Sequence, residues 1–332
     1  MKLVGLTRVK NEEMMMQEHL DHMAKFCDSI CVYDDRSTNG TLEIIKNHPK
    51  VKKILRTSKR WKPKPVGTVK DPLELWKKNQ KMLNAARRSL KPDWFIFLDI
   101  DEFFDEDLLR DLPKLLKTKD YDAICFQMYD FFITEKDKDK PYKGDIQSIR
   151  SYAGTEYRDQ LFLFRNISGL YFKEAAHKEP IGFKNDRILY TKYKIKHYGK
   201  AKSVEDYYQK SKHYLKYRPH LRKSKFKFTQ PPVRKDKSDL GKLVKWEEIK
   251  KNLQARGSVF CYRYKQPKNM KSHFKYQLDY KIDQLRKWIK RAIFGIDDSS
   301  KLLSPANLNK ELTLDAKETH ILEKKERKKP KK

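Results

Sequence analysis

Five consecutive apolar residues, Trp94-Phe95-Ile96-Phe97-Leu98, run directly into Asp99-Ile100-Asp101-Glu102. A run this short, with no polar side chain at either parity, fits a β-strand covered on both faces, the kind found inside a layered α/β sheet. Strand alternation puts the Asp99 and Asp101 side chains on the same side. Two hard carboxylates at the carboxyl end of a strand suit Mg2+ or Mn2+. In an open α/β sheet that end is also where ligands bind. Asp-x-Asp alone marks a helix cap or a solvated turn just as well. Behind so apolar a strand, however, three acidic residues repel one another unless a cation or a basic partner compensates.

The chain on either side supports such a sheet. Residues 2–9 form a short apolar run rich in branched side chains, and Met16, Leu20, Met23 and Phe26 then recur at helical spacing. Residues 29–33 predict a second strand, ending in the turn-forming Asp34-Asp35-Arg36-Ser37-Thr38-Asn39-Gly40-Thr41, with a helix from Thr41 to Asn47. A third strand spans 51–56, and Leu73, Trp76, Gln80, Leu83, Ala86 and Leu90 mark one face of a long helix starting near Asp71-Pro72. Alternating strands and helices predict a mostly parallel sheet flanked by helices. After Asp122 the pattern shifts to strand-like segments at 123–128, 160–164 and 188–197, followed by an amphipathic helix at 204–217. Two further helices are expected at 243–253 and 276–294.

Charge bears on partners. Lys and Arg total 77 against 45 Asp and Glu, a net charge of +32, which attracts nucleotides, nucleic acid or an anionic membrane surface. Aromatic residues make up 12% of the chain, enough to build a core despite the lysine excess. Cys27, Cys31, Cys125 and Cys261 have no histidine at zinc-finger spacing and read as reduced thiols. Neither a secretory leader nor a stretch of eighteen apolar residues is evident, so a cytoplasmic protein with at most peripheral membrane contact is expected.

Three segments, in order and spacing, resemble the family-two glycosyltransferases: Arg8-Val9-Lys10-Asn11-Glu12-Glu13, Tyr33-Asp34-Asp35-Arg36-Ser37-Thr38-Asn39-Gly40-Thr41 and Asp93-Trp94-Phe95-Ile96-Phe97-Leu98-Asp99-Ile100-Asp101-Glu102-Phe103. The resemblance covers roughly the first 130 residues and continues more weakly to Arg218. It implies the GT-A nucleotide-diphospho-sugar transferase fold and a nucleotide-sugar donor, UDP being the expected nucleotide. It places Asp34 or Asp35 on the nucleoside, Val9 and Asn11 beside the base, and Asp99 and Asp101 on a metal bound to the diphosphate. His197, in Ile195-Lys196-His197-Tyr198-Gly199, resembles the late histidine that completes the metal shell, and imidazole suits Mn2+ better than Mg2+.

An inverting transfer needs a base within hydrogen-bond reach of the acceptor hydroxyl. Gly169-Leu170-Tyr171-Phe172-Lys173-Glu174-Ala175-Ala176-His177-Lys178-Glu179-Pro180 resembles the His- and Glu-containing segment that follows the acceptor strand in several relatives of that family, although it departs from their usual Glu-Asp pair. The resemblance implies Glu179 first, then Glu174, as the base, with His177 on phosphate or acceptor. Each also has an ordinary reading as a lysine partner or a structural hydrogen-bonder. The helix face bearing Asn79, Asn84 and Arg87, and Lys200, Lys202 and Lys210, could approach the donor, yet in so lysine-rich a chain most such positions are expected to be solvated.

The organisation expected is a GT-A domain over 1–218, divided into a nucleotide-binding half (1–121) and an acceptor half (122–218), then a basic, mainly helical extension (219–322) and a charged tail (323–332). The acceptor would be a glycan, a lipid-linked sugar or a protein. Two other classes compete. Residues 216–237 interleave Tyr217, Phe226 and Phe228 with basic side chains, as single-stranded nucleic acid or anionic lipid would require, although no recognised nucleic-acid module accompanies them. A nucleotidyltransferase would share the paired carboxylates, but its first loop needs glycine to cradle a triphosphate, and 8–13 contains none.

Overall fold

The computed structural model of the chain describes residues 1–58, 62–63, 73–173, 179–217, 231–239 and 241–251. The first stretch alternates as its periodicity predicts: β1 (Leu3–Val9), α1 (Glu13–Ala24), β2 (Ser29–Asp34), α2 (Thr41–Asn47), β3 (Val51–Arg56), α3 (Leu75–Leu90) and β4 (Trp94–Phe97). These strands lie parallel in the order β3-β2-β1-β4. β4 is covered on both faces, and its two side-chain parities divide cleanly. Trp94, Ile96 and Leu98 pack with Met16, Leu20 and Met23 of α1, whereas Phe95 and Phe97 pack with Met82, Leu83 and Ala86 of α3. Each such fully buried large side chain contributes about 1.5–3 kcal/mol. A Cβ built on Gly5 would lie 2.3 Å from Met23 Cε, so a larger residue there would have to displace the Met23 side chain.

Beyond β4 come β5 (Glu102–Phe104), α4 (Glu106–Leu116), β6 (Ala123–Thr134), α5 (Ile146–Ile149), β7 (Tyr152–Arg165), β8 (Ile188–Lys200) and α6 (Val204–Tyr217). Here the expectation of a mostly parallel sheet needs correction. β7 runs antiparallel to both β4 and β6, and β5 runs antiparallel to β8, while β6 and β8 are parallel. The result is one mixed sheet with a parallel half and a second half of long, largely antiparallel strands. β5 and α4 are additions to the elements read from the sequence. α4 buries Leu108 and Leu112 although Pro113 lies within it.

The extension expected to be helical begins, within the described residues, as sheet. β9 (Val233–Arg234) pairs with β6, and β10 (Leu243–Lys245) pairs with β7. Among the described residues of the segment expected as a helix from 243 to 253, α7 (Trp246–Lys251) is the helical part. The strand forms because Leu243, Val244 and Lys245 complete the β7 edge, and Trp246 then anchors it. The Trp246 ring packs 5.2 Å from Phe131 and 5.7 Å from Tyr129, and its indole N–H donates to Asp105 at 3.2 Å. The helix expected at 276–294 and the tail lie outside the described residues. Cys27, Cys31 and Cys125 are free and buried, and burial pushes the Cys31 thiol up to about 12. Among the described residues no helix is long and apolar enough to cross a membrane.

Candidate functional site

The strand order reverses direction between β1 and β4: the chain moves outward from β1 to β2 and β3, then returns to the other side of β1. Such a switch point opens a crevice at the carboxyl ends of the strands. Val9, Asp34 and Asp99 all stand at that edge, Leu98 N–H donating to the Leu6 carbonyl at 3.1 Å and Asp35 N–H to the Val9 carbonyl at 2.8 Å.

On the β1–β2 side the polar loop is laced from within. Asp34 is fully buried, accepting from Ser37 N–H at 2.9 Å and from Arg56 Nε at 2.7 Å. Asn11 adopts the left-handed region (φ 55°), donates its N–H to Ser37 Oγ at 2.9 Å and accepts from Thr38 N–H at 2.8 Å. These groups shape the lip of the crevice. Asp35 is the carboxylate of the pair that keeps access, with 16% of its side chain exposed while it accepts from Lys78 Nζ at 2.7 Å and Thr57 Oγ1 at 2.6 Å. Burial raises the Asp35 carboxyl, but the Lys78 ammonium outweighs it and the net direction is downward. Asn79 accepts from Arg8 at 2.7 Å, and Arg87 is spent on Asn166 and the Ile167 carbonyl.

On the β4 side, residues 99–101 form a turn rather than a continuation of the strand. Glu102 is drawn inward, 1% exposed, and accepts from Asp99 N–H at 2.8 Å, which leaves Asp99 and Asp101 as the acids at the crevice. β5 then pairs with β8 in a register that sets Glu102 opposite His197, and Tyr198 N–H donates to the Asp101 carbonyl at 2.8 Å. A strand-end histidine distant in sequence is thereby fixed beside Asp101, its Nε2 3.6 Å from Asp101 Oδ1.

The other imidazole nitrogen, Nδ1, stands 2.6 Å from Asp130 Oδ1. An ionised carboxylate only accepts, so Nδ1 carries the proton and Nε2 faces Asp101. Asp130 is buried, which alone would raise its carboxyl, yet Arg158, Lys200 and His197 hold it well below the usual carboxylate range. Arg158 grips it with two bonds, at 2.9 and 2.5 Å, and Lys200 donates at 3.2 Å and also pairs with Asp239. Arg234 donates to Asp239 at 2.8 Å, so the segment after β9 closes the back of the site.

Asp101 itself is 8% exposed. Burial raises its carboxyl, but the charges of Lys210, His197 and Lys202 prevail and hold it far below the usual range. The three lysines expected to be solvated are in fact engaged: Lys200 with Asp130 and Asp239, Lys202 with Glu12 at 2.5 Å, and Lys210 with Asp101 at 3.3 Å.

The donor set fits a hard divalent cation in kind, two carboxylates and an imidazole whose far nitrogen is braced by a carboxylate, the arrangement that orients metal-binding histidines. It is not a preformed cage. Among the described residues no three His, Cys, Asp or Glu side chains group to hold a metal, and the cation facing Asp101 is the Lys210 ammonium. Gly199 lies close against both side chains, since an added Cβ would lie 2.7 Å from His197 Nε2 and 3.2 Å from Asp101 Oδ2. Gly199→Ala is therefore expected to weaken Mn2+ binding by about 10–100-fold, the range typical of displaced metal-site supports. Unchanged affinity in a calorimetric titration of a variant that melts normally would show that the close approach of Gly199 to His197 and Asp101 plays no part in binding.

Of the base candidates, Glu179 is half-buried on the loop closed by paired backbone bonds between Tyr171 and Ile181, and Phe172 N–H donates to Gln80 of α3 at 2.8 Å. Glu174 and His177 lie outside the described residues. The sequence reading missed Asp130, Asp239, Arg158, Arg234 and Gly199. Asp130 did carry a signal, a single carboxylate inside Tyr129-Asp130-Phe131-Phe132, where a buried charge demands a partner.

Comparison with known proteins gives partial likenesses. No family model matches the chain. Uncharacterised proteins of Mycobacterium tuberculosis and Mycobacterium bovis are each 32% identical over 125 residues, which is 38% of this chain and 29% of the relative. Among solved structures, S. aureus TarS residues 1–349 is 16% identical with a TM-score of 0.38, over 66% of either chain. The glucosyl-3-phosphoglycerate synthase of Mycobacterium tuberculosis, solved with Mn2+, UDP and glucosyl-3-phosphoglycerate, is 15% identical with a TM-score of 0.28, over 38% of this chain and 44% of that one.

Proposed function

We propose that this chain is a glycosyltransferase that takes a sugar from a nucleotide-diphosphate donor, UDP being the favoured nucleotide, and passes it to a hydroxyl of a glycan, lipid-linked sugar or protein. The observation that carries the reading is the Asp130–His197–Asp101 arrangement, delivered to the carboxyl end of β4 at the sheet's switch point. In this reading Asp35 receives the nucleoside beside Val9 and Asn11, and Asp34 keeps the lip in shape. Asp99, Asp101 and His197 hold Mn2+ or Mg2+. A cation bound there supplies Lewis-acid stabilisation of the charge on the departing diphosphate.

The acceptor oxygen bonds to the anomeric carbon as the bond from that carbon to the diphosphate oxygen breaks. The bond's electron pair leaves with UDP, and the acceptor's proton goes to the base. Glu179 is the residue we assign as that base for an inverting transfer, Glu174 and His177 being the alternatives in the same sequence segment. The lysine-rich surface assists encounter with the anionic donor.

The test is calorimetric titration of UDP and GDP at fixed salt, with and without Mn2+, followed by an assay for UDP release from UDP-sugars. Binding of one nucleotide that requires Mn2+, with slow release of that nucleotide from its sugar conjugate, is the expected result. Failure of both nucleotides to bind with Mn2+ present would overturn the reading.

A further inference from the structure

Lys210 already occupies the position of a cation. Its ammonium lies 3.3 Å from Asp101 Oδ2, 3.3 Å from the Gly199 carbonyl and 3.4 Å from Asp206 Oδ2. Oxygen ligands around one positive charge are what a hard divalent ion seeks. The bonds to Asp101 and to the Gly199 carbonyl lie at the long end of the N–H···O range.

Its support is rigid at one end and loose at the other. The entry to α6 is tied down by Arg150, which donates to the carbonyls of Ala201 at 2.8 Å and Lys202 at 3.2 Å, and by the Lys202–Glu12 pair. Lys210 lies further along that helix on a flexible four-carbon stem, with 22% of its side chain exposed. The stem can swing its charge without moving the helix. Two positive charges on one carboxylate oxygen repel each other, so a divalent ion and the Lys210 ammonium compete for Asp101. A diphosphate beside Asp101 offers the displaced ammonium a denser negative charge than the carboxylate it leaves.

We propose that Lys210 is an exchangeable counter-ion: it neutralises Asp101 until donor binds, then transfers to the donor's diphosphate as a divalent cation takes its place, so that cation and nucleotide bind with positive coupling. This rests on the glycosyltransferase reading, and no covalent bond changes in the exchange. By linkage, whatever factor the nucleotide adds to cation affinity, the cation must add to nucleotide affinity.

The experiment measures Mn2+ binding alone by the electron paramagnetic resonance of free Mn2+, and UDP binding by calorimetry with and without Mn2+, for the wild type, Lys210→Met and Lys210→Arg. The wild type is expected to show coupling within the usual range of about 5–150-fold. Lys210→Met, which keeps the stem and loses the charge, is expected to bind Mn2+ alone about tenfold more tightly, to bind UDP with Mn2+ more weakly, and to show about tenfold less coupling than the wild type, the remainder coming from the cation's own attraction for the diphosphate. Lys210→Arg, which keeps the charge, should retain coupling and guards against a Met variant that fails to fold. If the wild type couples and Lys210→Met couples equally, or binds Mn2+ no more tightly, the counter-ion role is wrong while the function stands. If the wild type binds no UDP even with Mn2+, the functional reading has failed first.

Discussion

For the sugar transfer proposed above, exchange of Asp101 for asparagine is expected to lower kcat/KM by about 10³-fold while the protein stays folded. Stabilisation of a departing diphosphate by a bound cation is worth several kcal/mol. A loss of ~4 kcal/mol from the transition state corresponds to about three powers of ten in rate. Asparagine fills nearly the same volume in this 8%-exposed site, and the backbone bond from Tyr198 N–H to the residue 101 carbonyl does not depend on the side chain. Lys210 keeps Asp206 and the Gly199 carbonyl as neighbours, so no cation is left stranded in the interior. Because the surrounding cations hold the Asp101 carboxyl far below the usual range, its charge also contributes to stability, so the variant should melt below the wild type yet stay folded, and lose Mn2+-dependent UDP binding by calorimetry. Retention of turnover within tenfold of wild type, in a protein that stays folded, would remove Asp101 from the chemistry.

The parts of the molecule that were legible in the sequence are those whose signal is local. The apolar run 94–98 could be read as a doubly covered strand because both parities are apolar, and the two faces of β4 divide between α1 and α3 accordingly. Asp99 and Asp101 could be singled out because they are contiguous with that run. β5, β9 and β10 span three residues or fewer each and have no periodicity to detect. α4 was hidden by Pro113, which normally argues against a helix. The residues 243–253 carry apolar spacing that suits a helix, and the open edge of β7 claimed the first three for a strand.

The site shows the same division. His197 could be named from its neighbours in sequence, but the brace that fixes its tautomer, Asp130, comes from a different strand 67 residues earlier. Lys200, Lys202 and Lys210 were visible as lysines and misjudged as solvated, because in a chain carrying 77 Lys and Arg nothing in composition separates a buried ammonium from an exposed one. Their engagement is a product of tertiary packing: the return of the chain at 233–239 brings Asp239 to Lys200, while Glu12 meets Lys202 and Asp101 meets Lys210.

Acidification from pH 7 to pH 4.5 is expected to cost the wild type about 2–3 kcal/mol more stability than it costs His22→Gln. His22 sits on α1, 3% exposed, with its ring 5.1 Å from Phe103 and 5.4 Å from Phe26, and its Nε2 accepts from Phe104 N–H at 2.9 Å. Accepting that bond requires a neutral nitrogen. Burial, reinforced by repulsion from His19, Lys25 and Lys196, pushes the imidazole down to about 3. In the unfolded chain the same group titrates near its ordinary value of about 6.5. Between those two values the unfolded state holds the extra proton, so stability rises with pH and is lost as pH falls from 6.5 toward 3. The slope approaches 1.4 kcal/mol per pH unit for one such group, which sets the expected difference. Glutamine retains an acceptor for Phe104 N–H and removes the titration, while the carboxylates that also respond to acid are common to both proteins. Urea unfolding of wild type and variant at pH 7 and pH 4.5 gives the two losses directly. Equal losses would mean that His22 is protonated in the folded state at pH 4.5, and that the strand bearing Phe103 and Phe104, which leads from Asp101 to β8, is held by something other than a neutral imidazole.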